Sequence, residues 1–217
     1  MIFRFIAHII STCINWIFPP RKSEQTIYPL SEKDILLFPK AKPIDTQTHA
    51  LFSYKDPRVT SLIWEIKYHK NIRALSLITP LLADVIHAEY SDKTLFEKYQ
   101  HCILLPVPST NTRINTYGYV HTHFICEALT PLLPSNITYS PNVLQKIKDT
   151  PQQHRLKDRH ARLKNLTRSH IVTTNILPHT LVILIDDVTT TGTTLTEARR
   201  ALKEAGAKDI IAFTIAH

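Results

Sequence analysis

Apolar positions change their period twice along this chain, and the changes divide it into three regions. Near the start, Ile2, Ile6, Ile9, Cys13 and Ile17 recur at three- and four-residue steps, with Arg4, His8, Ser11 and Asn15 opposite them. That spacing predicts an amphipathic helix over 1–18, closed by Pro19-Pro20. Between 19 and 57, Pro, Lys and Ser are frequent and periodic stretches few, which predicts an irregular region. Val59, Leu62, Ile63 and Ile66 then mark a helix over Arg58–His69. A second helix follows from about Ala74 to Glu89, with Pro80 predicting a kink or a restart. From His101 the pattern becomes strand-like runs alternating with helical stretches. Strands are predicted at Cys102–Val107, Ile137–Tyr139, Ile171–Thr173, Leu181–Ile185 and Ile210–Ala216, and helices at Tyr119–Leu133 and Leu195–Ala205. Gly206 stops the last helix. Leu181–Ile185 is five apolar residues without a polar interruption, as suits a strand covered on both faces of a parallel sheet. Strands separated by helices predict an α/β fold with a mostly parallel, doubly wound sheet. The organisation expected is a helix and irregular region over 1–57, then one α/β domain over 58–217.

Composition changes little in that picture and charge changes more. With 217 residues, 43% hydrophobic and 20% charged, the chain suffices for one α/β domain with a full core. Net charge is +8, and much of the excess is local. From Lys146 to Arg168 there are eight Lys or Arg against two Asp. This basic stretch, about 143–168, is expected to lie outside the sheet. Its charge suits an anionic partner, either a phosphorylated small molecule or a nucleic acid. The three cysteines, Cys13, Cys102 and Cys126, form no Cys-x-x-Cys pair. They yield no disulfide framework and no four-ligand zinc site, and they predict a reducing, cytoplasmic setting. No cluster of the twelve histidines has metal-site spacing, and His121 and His123, two apart, share no helical face. The 1–18 helix is too short and too polar to span a membrane. Docking on the domain's own core or on a partner is its expected use, with weak contact at a membrane surface as the second reading.

The chemistry concentrates in residues 181–196, where the apolar run leads into Asp186-Asp187-Val188-Thr189-Thr190-Thr191-Gly192-Thr193-Thr194 and then a helix. This order places a phosphate cradle at the carboxyl end of a strand and at the positive end of a helix. Gly192, in the middle of a threonine run, suits a backbone that approaches a phosphate closely. Thr190, Thr191, Thr193 and Thr194 add hydroxyl donors. Asp186 and Asp187 can accept hydrogen bonds from two vicinal ribose hydroxyls, or hold Mg²⁺ through water. Together these residues suit a ribose 5-phosphate. A P-loop is excluded because no Gly-Lys-Ser/Thr ending exists, and a Rossmann site because there is no Gly-x-Gly-x-x-Gly. The plainer alternative is a strand-end turn whose Asp and Thr side chains only cap the helix.

Ile183 through Thr194 resembles the PRPP-binding signature of type I phosphoribosyltransferases. Three further segments are similar to the ComF family of that group: Leu62-Ile-Trp-Glu-Ile-Lys-Tyr-His; Leu105-Pro-Val-Pro-Ser ahead of Arg113 and Gly118-Tyr119; and Leu144–Thr150 with Gln153, Leu156, Arg159 or Arg162, and Asn165. The resemblance covers about residues 50–217. It implies a type I phosphoribosyltransferase-like sheet flanked by helices, with 143–168 as a hood over the site. It implies that Asp186 and Asp187 contact the ribose hydroxyls and that Val188 to Thr194 bind the 5-phosphate. Arg113 would face pyrophosphate, making Arg113, Asp186 and Asp187 the catalytic set, and Arg155, Arg159 and Arg162 of the hood would meet an anion. The ligand implied is PRPP or a nucleotide with Mg²⁺, and the reaction is transfer of phosphoribose to or from a base. A second reading is a non-catalytic adaptor for single-stranded DNA, or for DNA-uptake proteins, in competence. The family's four-cysteine zinc ribbon has no counterpart here, so no zinc is expected. Tyr117-Gly118-Tyr119-Val120-His121 stands where the family has Arg-Gly-Phe-Asn-Gln.

Overall fold

The structure is a computed structural model that describes residues 20–109, 118–147 and 169–217. The helix expected over 1–18, Arg113, and the hood residues Arg155, Arg159 and Arg162 lie outside the described residues. Among those described, the elements in chain order are α1 (Lys22–Ile27), α2 (Glu32–Leu36), β1 (Thr48–Phe52), α3 (Pro57–His69), α4 (Ile72–Phe96), β2 (His101–Pro106), α5 (His121–Leu129), β3 (Ile137–Tyr139), β4 (Leu144–Lys146), β5 (His170–Val172), β6 (Thr180–Val188), α6 (Thr193–Glu204) and β7 (Asp209–Ala216).

Five strands form one sheet in the order β1-β7-β6-β2-β3, and every pairing in it is parallel. The expected mostly parallel α/β sheet is therefore present. Alternation along β6 builds two cores. Leu181, Ile183 and Ile185 pack with α3, α4 and α5, while Val182 and Leu184 pack with α6 and β4. Both faces are covered, which is why the strand reads as an unbroken apolar run. From β6 the chain crosses through α6 to β7 on one side, and from β2 through α5 to β3 on the other. The crossover helices thus lie on opposite faces, which puts the topological switch point of the sheet at the carboxyl ends of β2 and β6.

Several local expectations need correction. The 19–57 region is not irregular where it is described. It carries α1, α2 with a capping box between Ser31 and Asp34, and β1, which pairs with β7 at the sheet edge. Ile27, Ile35, Phe38, Leu51 and Phe52 are all buried, but they are spaced too unevenly along the chain to show a period. Helix α4 runs unbroken through Pro80. That residue lies on the exposed side, where water can take the carbonyl its missing N–H leaves unpaired. The helix expected over Tyr119–Leu133 is confined to α5, followed by a single 3₁₀ turn at Thr130–Leu132 around Pro131. The run at Ile171 does not join the main sheet. It pairs antiparallel with β4, forming a two-stranded ribbon at the base of the 143–168 segment. Strand β6 is longer than its apolar core and carries both aspartates at its carboxyl end.

Candidate functional site

Because successive side chains of a strand point to opposite faces, Asp186 and Asp187 divide between the two layers. Asp187 has the parity of Leu181, Ile183 and Ile185 and so faces α3 and α5. Both carboxylates are buried, at 8% and 4% exposure. Two helices deliver partners to Asp187. The ammonium of Lys67, in the last turn of α3, donates to Asp187 Oδ2, and His121 Nε2, at the first residue of α5, lies 3.4 Å from the same oxygen. Asp187 Oδ1 accepts from the Val188 N–H at 2.8 Å, and Asp186 Oδ1 accepts from the Asp187 N–H at 2.9 Å.

These surroundings separate the two acids. Burial pushes the Asp186 carboxyl well above the usual carboxylate range, and the charge of Asp187 beside it pushes the same way. Burial acts on Asp187 in the same direction, but His121 and the Lys67 ammonium outweigh it and hold Asp187 well below that range. The two acids are therefore pushed apart, with the negative charge favoured on the residue facing α3 and α5.

The loop that follows is open. Thr189 is buried, with its N–H on the Ala216 carbonyl at 3.1 Å, whereas Thr190 and Thr191 are exposed. Gly192 adopts φ 71° and is the N-cap of α6, so it is the left-handed conformation that asks for glycine here. Among the described residues, nothing lies within 4 Å of where a Cβ at Gly192 would stand. No side chain caps α6, which removes the alternative in which Asp or Thr serves only as a cap. Thr191 and Thr193 hydroxyls bond each other at 2.7 Å, and the Thr196 hydroxyl turns back to the Gly192 carbonyl at 3.0 Å. Among the described residues no side chain caps the first-turn N–H groups of α6, and the helix dipole stands behind them.

Two neighbouring clusters fix where Lys67 and His121 stand. Glu65, fully buried on α3, accepts from Arg21 Nε at 3.0 Å and Nη2 at 2.8 Å, from the Ser23 hydroxyl at 2.6 Å and from Asn71 Nδ2 at 3.0 Å. Burial alone would raise its carboxyl, but these donors bring it down to about 2. On the other side, the Tyr119 hydroxyl donates to the Ile66 carbonyl at 2.5 Å and accepts from the Lys70 N–H at 2.8 Å. This clamp ties the entrance of α5 to the end of α3.

His121, Asp186 and Asp187 offer ligand atoms that all lie within 4.8 Å of one another. Mg²⁺ prefers an all-oxygen, octahedral shell and keeps several waters. A triad that includes an imidazole and an oxygen already bonded to an ammonium does not fit Mg²⁺ as a resident ion. Spacing along the chain gave no sign of His121 or Lys67 as partners of Asp187. Lys67 lies 120 residues away, and His121 stands out only as one end of the Tyr117–His121 segment.

Comparison with known proteins agrees with this geometry. Residues 137–217, which include β6, the threonine loop, α6 and β7, match the phosphoribosyl transferase domain family. Competence protein F of Haemophilus influenzae is 35% identical over 109 residues, 49% of this chain. The parallel sheet and the matched segment give the chain a phosphoribosyltransferase-type α/β fold. It spans about half, 46%, of the length of that curated relative. Among solved structures, an allosteric regulatory enzyme of purine biosynthesis superposes with a TM-score of 0.39 and 14% identity, over 70% of this chain and 30% of that one. The loop Thr189–Thr194 and the two aspartates lie within the matched segment. Lys67 and His121 lie before it. No helix among the described residues is long and apolar enough to cross a membrane.

Proposed function

We propose that this protein binds PRPP, or the ribose 5-phosphate part of a nucleotide, at the carboxyl end of β6, and that it transfers phosphoribose to or from a base. The observation that carries the reading is the N-terminus of α6, uncapped among the described residues and entered through Gly192 with none of them within 4 Å of a Cβ there, five residues after the buried Asp187, whose charged form is favoured. The 5-phosphate would take N–H groups of the first turn and hydroxyls of Thr190, Thr191, Thr193 and Thr194. The ribose hydroxyls would donate to Asp187, whose two oxygens retain acceptor sites beyond those used by Val188 and Lys67. A negative charge held beneath the ring favours the cationic character that develops at C1 as the bond to pyrophosphate breaks. Mg²⁺ enters this reading as the companion of the polyphosphate, reached from the aspartates through water, and not as a resident ion.

Calorimetric titration with Mg·PRPP tests the proposal. The wild type is expected to give a saturable heat that disappears in D187A and weakens in G192V. No heat from the wild type, or an unchanged isotherm in D186A/D187A, overturns it.

A further inference from the structure

Three buried donor groups within 4.8 Å, two of them carboxylates, would ordinarily attract a divalent cation. Here a third element intervenes. Helix α3 brings the Lys67 ammonium onto Asp187 Oδ2, the oxygen that also faces His121 Nε2 at 3.4 Å. The Lys67 side chain is only 17% exposed, so solvent screens its charge poorly. A divalent ion shared by Asp187 and His121 would stand within a few ångströms of that ammonium, where like charges repel strongly. The lysine is also anchored. The Glu65 cluster holds α3 two residues earlier, and the Tyr119 clamp grips the backbone on either side of Lys67, at Ile66 and Lys70.

We propose that Lys67 is a built-in cation. It occupies the place that a divalent metal would take on Asp187, so the ligand-free protein holds no metal at His121, Asp186 and Asp187, and a divalent ion enters the site only with an anionic ligand. The last clause rests on the PRPP reading; the first does not. Lys67 is thus a positioning residue that sets the order of binding, and removing its charge converts the triad into a metal site. An imidazole–carboxylate set suits Mn²⁺ better than Mg²⁺, which makes Mn²⁺ the useful probe.

The test is Mn²⁺ titration of the ligand-free protein by calorimetry, comparing wild type, K67R, K67M and K67M/H121A, each checked for native circular dichroism. K67M is expected to bind one Mn²⁺ on the order of tenfold more tightly than wild type. K67R, which keeps the charge, should behave as wild type, and K67M/H121A should lose the gain. Equal affinity in wild type and folded K67M overturns the proposal. A measurement on the unaltered protein guards against a K67M that does not fold. The His121 ring signals should resist Mn²⁺ broadening without ligand and broaden once PRPP is added. Broadening in the ligand-free wild type overturns the proposal. If PRPP gives no broadening while K67M still gains Mn²⁺ affinity, the built-in cation stands and the PRPP reading fails.

Discussion

A carboxylate buried on a helix face is normally unfavourable, and Glu65 shows how a single residue avoids that cost. Four donor groups, from Arg21, Ser23 and Asn71, surround it and join α1, α3 and the start of α4. E65Q, which keeps the shape but loses the charge, should destabilise the protein by about 1–3 kcal/mol at neutral pH in urea unfolding. The pH dependence has a definite sign. Glu65 is held at about 2 in the folded state, below its unfolded value, so its contribution is complete above about 4.5 and disappears as pH falls through about 2. The gap between wild type and E65Q should therefore close over that window. The two aspartates should separate in the same assay. Burial and the neighbouring Asp187 both disfavour the charged form of Asp186, so D186N, which removes that charge and keeps the shape, should unfold closer to the wild-type midpoint than D187N. D187N strips Lys67 of its counter-charge and should cost about 1–3 kcal/mol. Equal losses in the two variants would contradict the assignment of the charge to Asp187.

At the scale of elements, the site depends on how β6 hands over to α6. Nine residues of strand end at Val188, and five residues later the chain is helical. The reversal passes through Gly192 at φ 71°, a conformation that costs a residue with a Cβ about 1–2 kcal/mol. G192A should lose stability by about that amount, and G192N less, because Asn tolerates the left-handed region. Since none of the described residues lies within 4 Å of a Cβ there, the loss should reflect backbone strain, which thermal unfolding of the two variants would show as a graded shift. The sequence pattern located this loop and helix within about two residues. It gave a different reason for the glycine, close approach to a phosphate, because φ is invisible in the residue order.

For the molecule as a whole, β1 ties the chain ahead of α3 to the sheet. β1 pairs with β7 from Thr48↔Ala212 to Phe52↔Ala216, and Arg199 of α6 binds the Gln47 carbonyl at 2.5 Å and the Thr48 hydroxyl at 2.8 Å. Phe52 is fully buried and stacks edge-on to Phe38, ring centroids 5.6 Å apart. A chain beginning at residue 54 would expose the edge of β7 and empty part of the core. It should lose cooperative unfolding and aggregate, as size-exclusion chromatography and a melting curve would reveal. A truncated chain with an intact cooperative transition would show that β1 is dispensable.

The sequence by itself determined the parallel sheet, its doubly covered central strand and the glycine-centred threonine loop between strand and helix. Each of these is a local matter: an apolar run buried on both faces, a turn that needs glycine, a helix that begins after it. Helix Pro57–His69 and strands β2, β3 and β7 were legible for the same reason. Only the tertiary structure decided which of the two aspartates has its charged form favoured, because that depends on Lys67 and His121 arriving at Asp187 from two other helices. It also decided that β1 completes the sheet edge, since a five-residue strand amid prolines gains its stability from β7 and from the core beneath it. Periodicity records which face of an element meets the interior. It carries no record of which distant residue is waiting there.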